Sequence, residues 1–248
     1  NMLYKYMLAE NLKHKNSILK KLMLILPLVT VLLSFVLMQS YFTINAFNWW
    51  YVMIMPVTFA LIPGLMHRKE DKKLKYRAIY SLPVSLTKVW IAKVLTALLY
   101  IVVAALVHLF AVYILQFAVG KQLTSSYLFP TLLSASVLLV ITYLWQIPFC
   151  LFLVKKLGFI VGIASNVIIG LGLGVVFADS SLWMLCPYTW GSRLMIPILK
   201  VLPNGLPVTA NHPLIENTSI LIPVISSVVL FGLITMITAK WFSRIEVK

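Results

Sequence analysis

Residues able to do chemistry are scarce in this chain. Six acids, four histidines and two cysteines are scattered through 248 residues. His14, His67, His108 and His212 have no acidic or cysteine partners at ligand spacing, and no H-E-x-x-H occurs. The sequence therefore points to no metal site and no catalytic cluster. A phosphate-cradling G-x-x-x-x-G-K-[ST] loop is also missing, so the chain is not expected to hydrolyse ATP by itself. No Asp or Glu lies inside an apolar run. Ion-coupled carriers need intramembrane carboxylates or broken-helix ion sites, so secondary transport loses its support. The polar residues within the apolar runs are His108, Gln116, Gln146 and Asn166, each read as a helix–helix hydrogen bond rather than a reacting group.

The charged residues are concentrated in one stretch, His67–Lys93, HRKEDKKLKYRAIYSLPVSLTKVWIAK. Seven of its first 22 residues are Lys or Arg, and Glu70 and Asp71 are two of the six acids. Behind the charges, Leu74, Ala78, Ile79 and Leu82 make a short apolar-periodic piece, which Pro83 ends because it lacks the N–H to continue a helix. Ser85 or Thr87 then caps a new helix. The expectation is a compact cytoplasmic knuckle for another protein to grip. An ordinary positive inner loop is the plainer alternative.

The elements around that stretch follow from composition. The chain is 61% hydrophobic and 11% charged, with a mean hydropathy of +0.97. A soluble domain carries about 25% charged residues, so this is a polytopic membrane protein. The net charge of +15 flanks apolar runs. Anionic lipid is thus the simple counter-charge, and no recognition motif supports nucleic acid. Cys150 and Cys186 form no disulfide framework. The expected fold class is an all-α membrane protein of six spans: 22–42, 49–66, 89–119, 129–154, 159–178 and 219–239. The first run is about 21 residues with no small-residue cleavage site, a span rather than a signal peptide. The third, at about 46 Å, should protrude from the bilayer.

Lys and Arg number eighteen on one side of these spans and three on the other, which places both termini in the cytoplasm. One transmembrane domain, 1–248, is expected, with an interfacial segment over 1–21, a cytoplasmic loop over 67–88 and an external element over 179–217. In 3–13, Leu3, Tyr4, Met7, Leu8 and Leu12 share one half of a helical wheel, opposite Lys5, Glu10 and Lys13. The loop 43–48 is uncharged, and Trp49, Trp50 and Tyr51 after it suggest an interfacial belt. Pro187, Gly191, Arg193 and Pro197 interrupt 182–202, favouring a re-entrant or interfacial element over a seventh span. Trp190, Leu194, Ile198 and Val201 would form its apolar stripe, with Arg193 and Lys200 on the polar side. In the fifth span Gly158, Gly162, Asn166, Gly170 and Gly174 recur every four residues, a small-residue seam for close packing. Its partner is either a helix of this chain or a helix of a second membrane protein.

Six spans with an interfacial N-terminal helix, a basic loop after the second and a re-entrant element before the sixth resemble the permease subunits of type-2 ABC exporters. The text DKKLKYRAIYSLPVSLTKVWIAKVL, residues 71–95, is similar to the family's segment of L-P-V-S followed by a Lys. The opening YKYMLAENLKHKNSILKKL and the overall length resemble the lantibiotic-immunity permeases of Gram-positive bacteria most closely. The resemblance implies a coupling helix seated on an ATPase, with Glu70, Lys72, Lys73, Tyr76, Arg77, Leu82 and Pro83 as coupling residues. It also implies a heteromer in the cell membrane: this chain, a second similar permease and a pair of ATPase subunits that supply ATP and Mg. About 20 loop residues cannot build a standard interface alone, so assembly should also draw on the N-terminal helix and intramembrane contacts. The implied activity is export of lantibiotic from the membrane to the exterior. For such a peptide, Trp183, Tyr188 and Trp190 are the candidate contacts at the outer leaflet, with Trp49 and Trp50 nearby. Export of another lipid or drug, or a non-transporting peptide sensor, are the alternatives.

Overall fold

A lipid core offers no water to bond backbone groups, so apolar runs of this length must satisfy their own N–H and C=O groups as helices. The computed structural model describes residues 2–74, 83–120, 126–208, 212–216 and 218–244. Among them all regular structure is helical apart from one isolated bridge, Val201 to Pro207. The elements are α1 (Met2–Lys13), α2 (Ile18–Leu37), α3 (Phe42–Trp49), α4 (Met55–Leu74), α5 (Leu86–Val119) and α6 (Phe129–Tyr143). There follow α7 (Gln146–Leu157), α8 (Phe159–Val176), α9 (Trp190–Leu199), α10 (Pro213–Glu216) and α11 (Leu221–Ser243). Five helical runs are long and apolar enough to cross a membrane, and six if α6 and α7 form one bent span. This is an all-α membrane protein.

The axis of the fold is α5, whose 34 residues make a rod of about 51 Å. Ser85 is its N-cap, accepting from the Lys88 N–H. Around it pack α1, α2, α4, α6 and α11, and it buries side chains from Val89 to Val119. Peripheral helices α2, α8 and α11 instead turn rows of Leu, Ile and Val outward, among them Val36, Ile160, Ile168 and Ile237. Lipid is the natural solvent for those faces.

Three boundaries differ from the sequence expectation. The first span ends at Leu37 instead of residue 42, because Met38 takes an extended conformation (φ −157°, ψ 89°). The expected loop 43–48 is helix α3, whose Phe42, Ile44, Ala46 and Phe47 are buried. Trp50 and Tyr51 are likewise buried, at 2% and 0% exposure, so they form no interfacial belt. Between α3 and α4 the helix widens into a π turn, Trp50–Ile54, in which Met55 N–H donates to Trp50 C=O. Pro56 explains it: in that register Tyr51 C=O faces a residue with no N–H. The Tyr143 hydroxyl donates to this orphaned carbonyl at 2.8 Å.

The fourth span bends by 41° between α6 and α7. Pro148 cannot donate to Leu144 C=O, and Ile147 N–H takes that carbonyl at 3.1 Å instead. In the external element, two short 3₁₀ turns, Trp183–Leu185 and Pro187–Thr189, lead into α9, which is wedged against α6, α8 and the π turn. Nearly all of α9 is buried. The segment after it meets the end of α3 and the π turn: Asn48 Nδ2 donates to Pro203 C=O at 3.1 Å and to the Tyr51 hydroxyl at 2.9 Å.

Candidate functional site

The two ends of the expected coupling loop meet in a buried charge cluster. Glu70 lies one turn before the end of α4, and Lys93 lies two turns into α5. Lys93 Nζ donates to Glu70 Oε2. Lys13 Nζ reaches Glu70 Oε1 at 2.5 Å and Glu10 Oε1 at 2.6 Å. Lys69 Nζ donates to the Lys13 carbonyl, and the Tyr100 hydroxyl donates to Asn11 Oδ1 at 2.8 Å. Lys93, Glu70 and Glu10 are 1%, 6% and 2% exposed. Two buried carboxylates and two ammoniums thus balance, and removing either member of the Glu70–Lys93 pair strands a charge at about 3–5 kcal/mol.

The cluster also explains how α1 sits. Tyr4, Leu8 and Leu12 point outward, while Glu10, Asn11 and Lys13 face α4 and α5. Of the expected polar side, Glu10 and Lys13 thus face the protein instead of water, while Lys5 is exposed. In the turn after α1, His14 is 1% exposed, and its pKa falls from 6.5 to about 4. Burial is the main cause, followed by repulsion from Lys69 and Lys93.

Further ties cross the same end of the bundle. Lys155 reaches Asp71 at 3.5 Å, Arg68 lies 4.6 Å from the Phe159 ring centre and Lys156 lies 5.2 Å from that of Trp241. Trp90 Nε1 donates to Thr238 Oγ1 at 3.0 Å. Five segments that carry the inner positive charge are thereby fastened together.

Of the expected coupling residues, Glu70 is a buried tie at the base of the loop, not part of a surface to be gripped. Lys72 and Lys73 fall on the last turn of α4. Pro83 is exposed just before the α5 cap. Tyr76, Arg77 and Leu82 lie outside the described residues. Glu10 and Lys13 were not singled out from sequence as members of this site. The available signal was an acid in a basic N-terminal segment, in a chain with only six acids.

The small-residue seam packs within this chain. A Cβ on Gly162 would stand 2.8 Å from the backbone of Val154, so α7 and α8 approach closely there. Gly170 faces Pro56 and Gly174 faces the Tyr188 carbonyl. Asn166 Nδ2 donates to Pro56 C=O and Gln146 Oε1, and its Oδ1 accepts from the Tyr188 hydroxyl at 3.0 Å. Gly158 makes the α7–α8 turn at φ 88°, a conformation that favours glycine. The face is thereby filled by α4, α7 and the external element, and a second permease is not its partner. The other polar residues of the spans also bond between segments: His108 with Ala46 C=O, and Gln116 with Tyr127.

The expected outer aromatic surface is an interior one. Trp183, Tyr188 and Trp190 are 5%, 9% and 5% exposed and pack with Trp145 beside the bend of the fourth span. Arg193, expected on a polar side, is 3% exposed. It donates to Ala178 C=O at 2.8 Å and Thr218 Oγ1 at 2.9 Å, with Trp183 5.2 Å away. Helix-period reasoning put a cation on the outer face, whereas the guanidinium turns inward to a carbonyl of the turn that follows α8.

The comparison with known families bears on this arrangement directly. The family model described as ABC-2 family transporter protein matches residues 7–174, from α1 through α8 and well over half the chain. The chain belongs to that family. No curated protein and no solved structure matches it. As an ABC-2 membrane component, this permease belongs to a family that works with an ABC ATPase subunit. The matched region contains all four members of the charge cluster and both sides of the α4–α5 loop. The external element and α11 lie beyond it.

Proposed function

We propose that this ABC-2 permease is the membrane subunit of an ATP-driven exporter that expels a lantibiotic or similar antimicrobial peptide from the membrane to the exterior. The fastening of α1, α4 and α5 by Glu10, Lys13, Glu70 and Lys93 carries the coupling half of this reading. A pair of ATPase subunits closing on ATP would press on the segment between Lys72 and Pro83. With the loop ends tied, that force reaches the central rod α5 together with α1 and α4, instead of being absorbed by bending the loop. The family supports the partner class, and the resemblance of the opening segment and of residues 71–95 to lantibiotic-immunity permeases supports the substrate class. That resemblance also supports a second, similar permease in the complex and a Gram-positive cell membrane as its setting.

Burial of Trp183, Tyr188 and Trp190 moves the peptide-binding proposal away from the external element. A lateral hollow of about 200 Å³ between α5 and α6 is the better candidate. It is lined by Val102, Leu106, Leu109, Leu133 and Val137, a wall suited to the apolar side chains of a peptide already partitioned into the bilayer.

The test is co-expression with the neighbouring ATPase and permease genes, purification through this chain and reconstitution. Co-purifying ATPase, turnover stimulated by added lantibiotic and peptide released from protected cells are the expected results. Turnover stimulated by a lipid or drug but not by lantibiotic would replace the substrate. A chain that purifies alone and confers no release would replace transport by sensing.

A further inference from the structure

The turn between α1 and α2 and the end of α4 enclose a hollow of about 290 Å³, lined by His14, Ser17, Ile18, Leu19, Leu65, Arg68 and Lys69. Its wall is almost wholly apolar surface, and the few polar groups that border it are cationic or hydrogen-bonding. Ser17 is the N-cap of the 20-residue α2, and no side chain caps the first N–H groups of that helix. His14 is 1% exposed, and its Nε2 is buried with no hydrogen-bond partner among the described residues. Arg68 also lines a second hollow of about 310 Å³, with Leu157, Phe159, Ile160 and Val161. Arg68 thus borders both openings, its guanidinium 4.6 Å from the Phe159 ring centre on the side of the second.

We propose that this hollow binds the phosphate of an anionic phospholipid, its acyl chains lying along the aliphatic walls below Arg68. Arg68 and Lys69 supply charge, the N–H groups at the start of α2 that no side chain caps supply donors, and the His14 ring closes the back of the site, while the Ser17 hydroxyl donates to His14 C=O at 3.1 Å. The charge matches the anionic lipid of an inner leaflet, where the eighteen-to-three distribution of Lys and Arg places this end of the bundle. Lys15, Lys20 and Lys21 flank the site in sequence and add to the attraction. An apolar groove alone would take any lipid tail, whereas two cations beside an uncapped helix start select the head group. The site is independent of the peptide substrate proposed above. It would anchor the α1–α2 turn against α4, beside the Glu70 tie.

Native mass spectrometry of the purified permease complex, titrated with phosphatidylglycerol, phosphatidylcholine or inorganic phosphate, tests it. One phosphatidylglycerol should be retained per copy of this chain, with phosphatidylcholine displaced first and inorganic phosphate unable to compete. Arg68→Gln with Lys69→Gln should weaken phosphatidylglycerol retention roughly tenfold or more, Arg68→Lys should retain most of it, and Lys240→Gln at the exposed end of α11 should change nothing. Equal retention of the two lipids, or unchanged retention in the double variant, overturns the proposal. Competition by inorganic phosphate would show a free-phosphate site and overturn the lipid assignment. Should the double variant fail to assemble, the lipid selectivity of the wild-type complex and of Arg68→Lys decides the matter.

Discussion

At the scale of single residues, the informative positions are those where a charge is buried. Glu70 lies between Lys13 and Lys93, so the pair energies are shared. Glu70→Gln and Lys93→Met should each cost about 3–5 kcal/mol. The double variant should cost less than their sum by about 1–3 kcal/mol, because it leaves neither partner stranded. Unfolding of the four proteins in detergent closes that cycle. Strict additivity would show that the pair is not coupled. His14 adds a pH dependence. Its folded pKa of about 4 lies below the ordinary 6.5, so the unfolded chain binds the extra proton between those values. Stability is therefore complete above about pH 6.5 and falls as the pH drops towards 4. In detergent without anionic lipid, His14→Gln should flatten the stability profile over that interval while leaving the loss below it to the carboxylates. A variant with the wild-type slope would remove His14 as its source. These residues were only half legible beforehand. Glu70 and Lys93 belonged to a recognisable segment, whereas Glu10 and Lys13 are one turn apart on a helix whose periodicity predicted a water-facing side. Amphipathic patterning finds the two faces of a helix, but the environment decides which face turns inward.

At the scale of elements, helices and their number were legible because lipid leaves the backbone few other solutions. The breaks were less so. Pro56 and Pro148 are plain in the sequence, yet only the packing shows that one opens a π turn and the other bends the fourth span. The first receives the Tyr143 hydroxyl on Tyr51 C=O, and the second sets Trp145 edge-on to Tyr188 of the external element at 4.7 Å. The four-residue rhythm of α8 was visible from the start, but periodicity cannot say which helix fills the groove. Backbone distances can. Gly162→Ala would press a methyl into Val154 at 2.8 Å, where neither backbone can yield cheaply, whereas Gly172 on the same helix faces open space. The expected cost is about 1–3 kcal/mol for Gly162→Ala and no loss for Gly172→Ala, read from thermal unfolding of purified protein. Because the contact is within the chain, monomer stability should fall even without other subunits. A defect appearing only in the assembled complex would return the seam to a subunit interface.

Over the whole molecule, the two ends of the bundle are built differently. The inner end is fastened by charge and by indole contacts from α1 across to α11. The outer end is filled by a wedge, α9 and its preceding turns, held by Asn166, Ser192 and Arg193. A force delivered at the loop between α4 and α5 would therefore meet a stiff ring, and α5, an unbroken helix of 34 residues, is long enough to carry it to the other side. This argument separates assembly from coupling. Glu70 and Lys93 belong to the ring, and their loss should reduce folded protein. Lys72 and Lys73, on the last turn of α4 beyond the Glu70 tie, are the residues through which the proposed coupling is tested. Lys72→Glu with Lys73→Glu should leave the permease in the membrane with unchanged unfolding temperature. In the reconstituted complex it should abolish most substrate-stimulated ATP turnover and protection, while the ATPase keeps its basal rate. Trp183→Ala with Tyr188→Ala and Trp190→Ala should do the reverse and unfold the outer end, because those rings are interior. Measured side by side, stimulated turnover and unfolding temperature distinguish the two ends. If the lysine reversals kept full stimulated turnover, the α4–α5 loop would not be where the ATPase acts, and the stiff inner ring would serve stability alone.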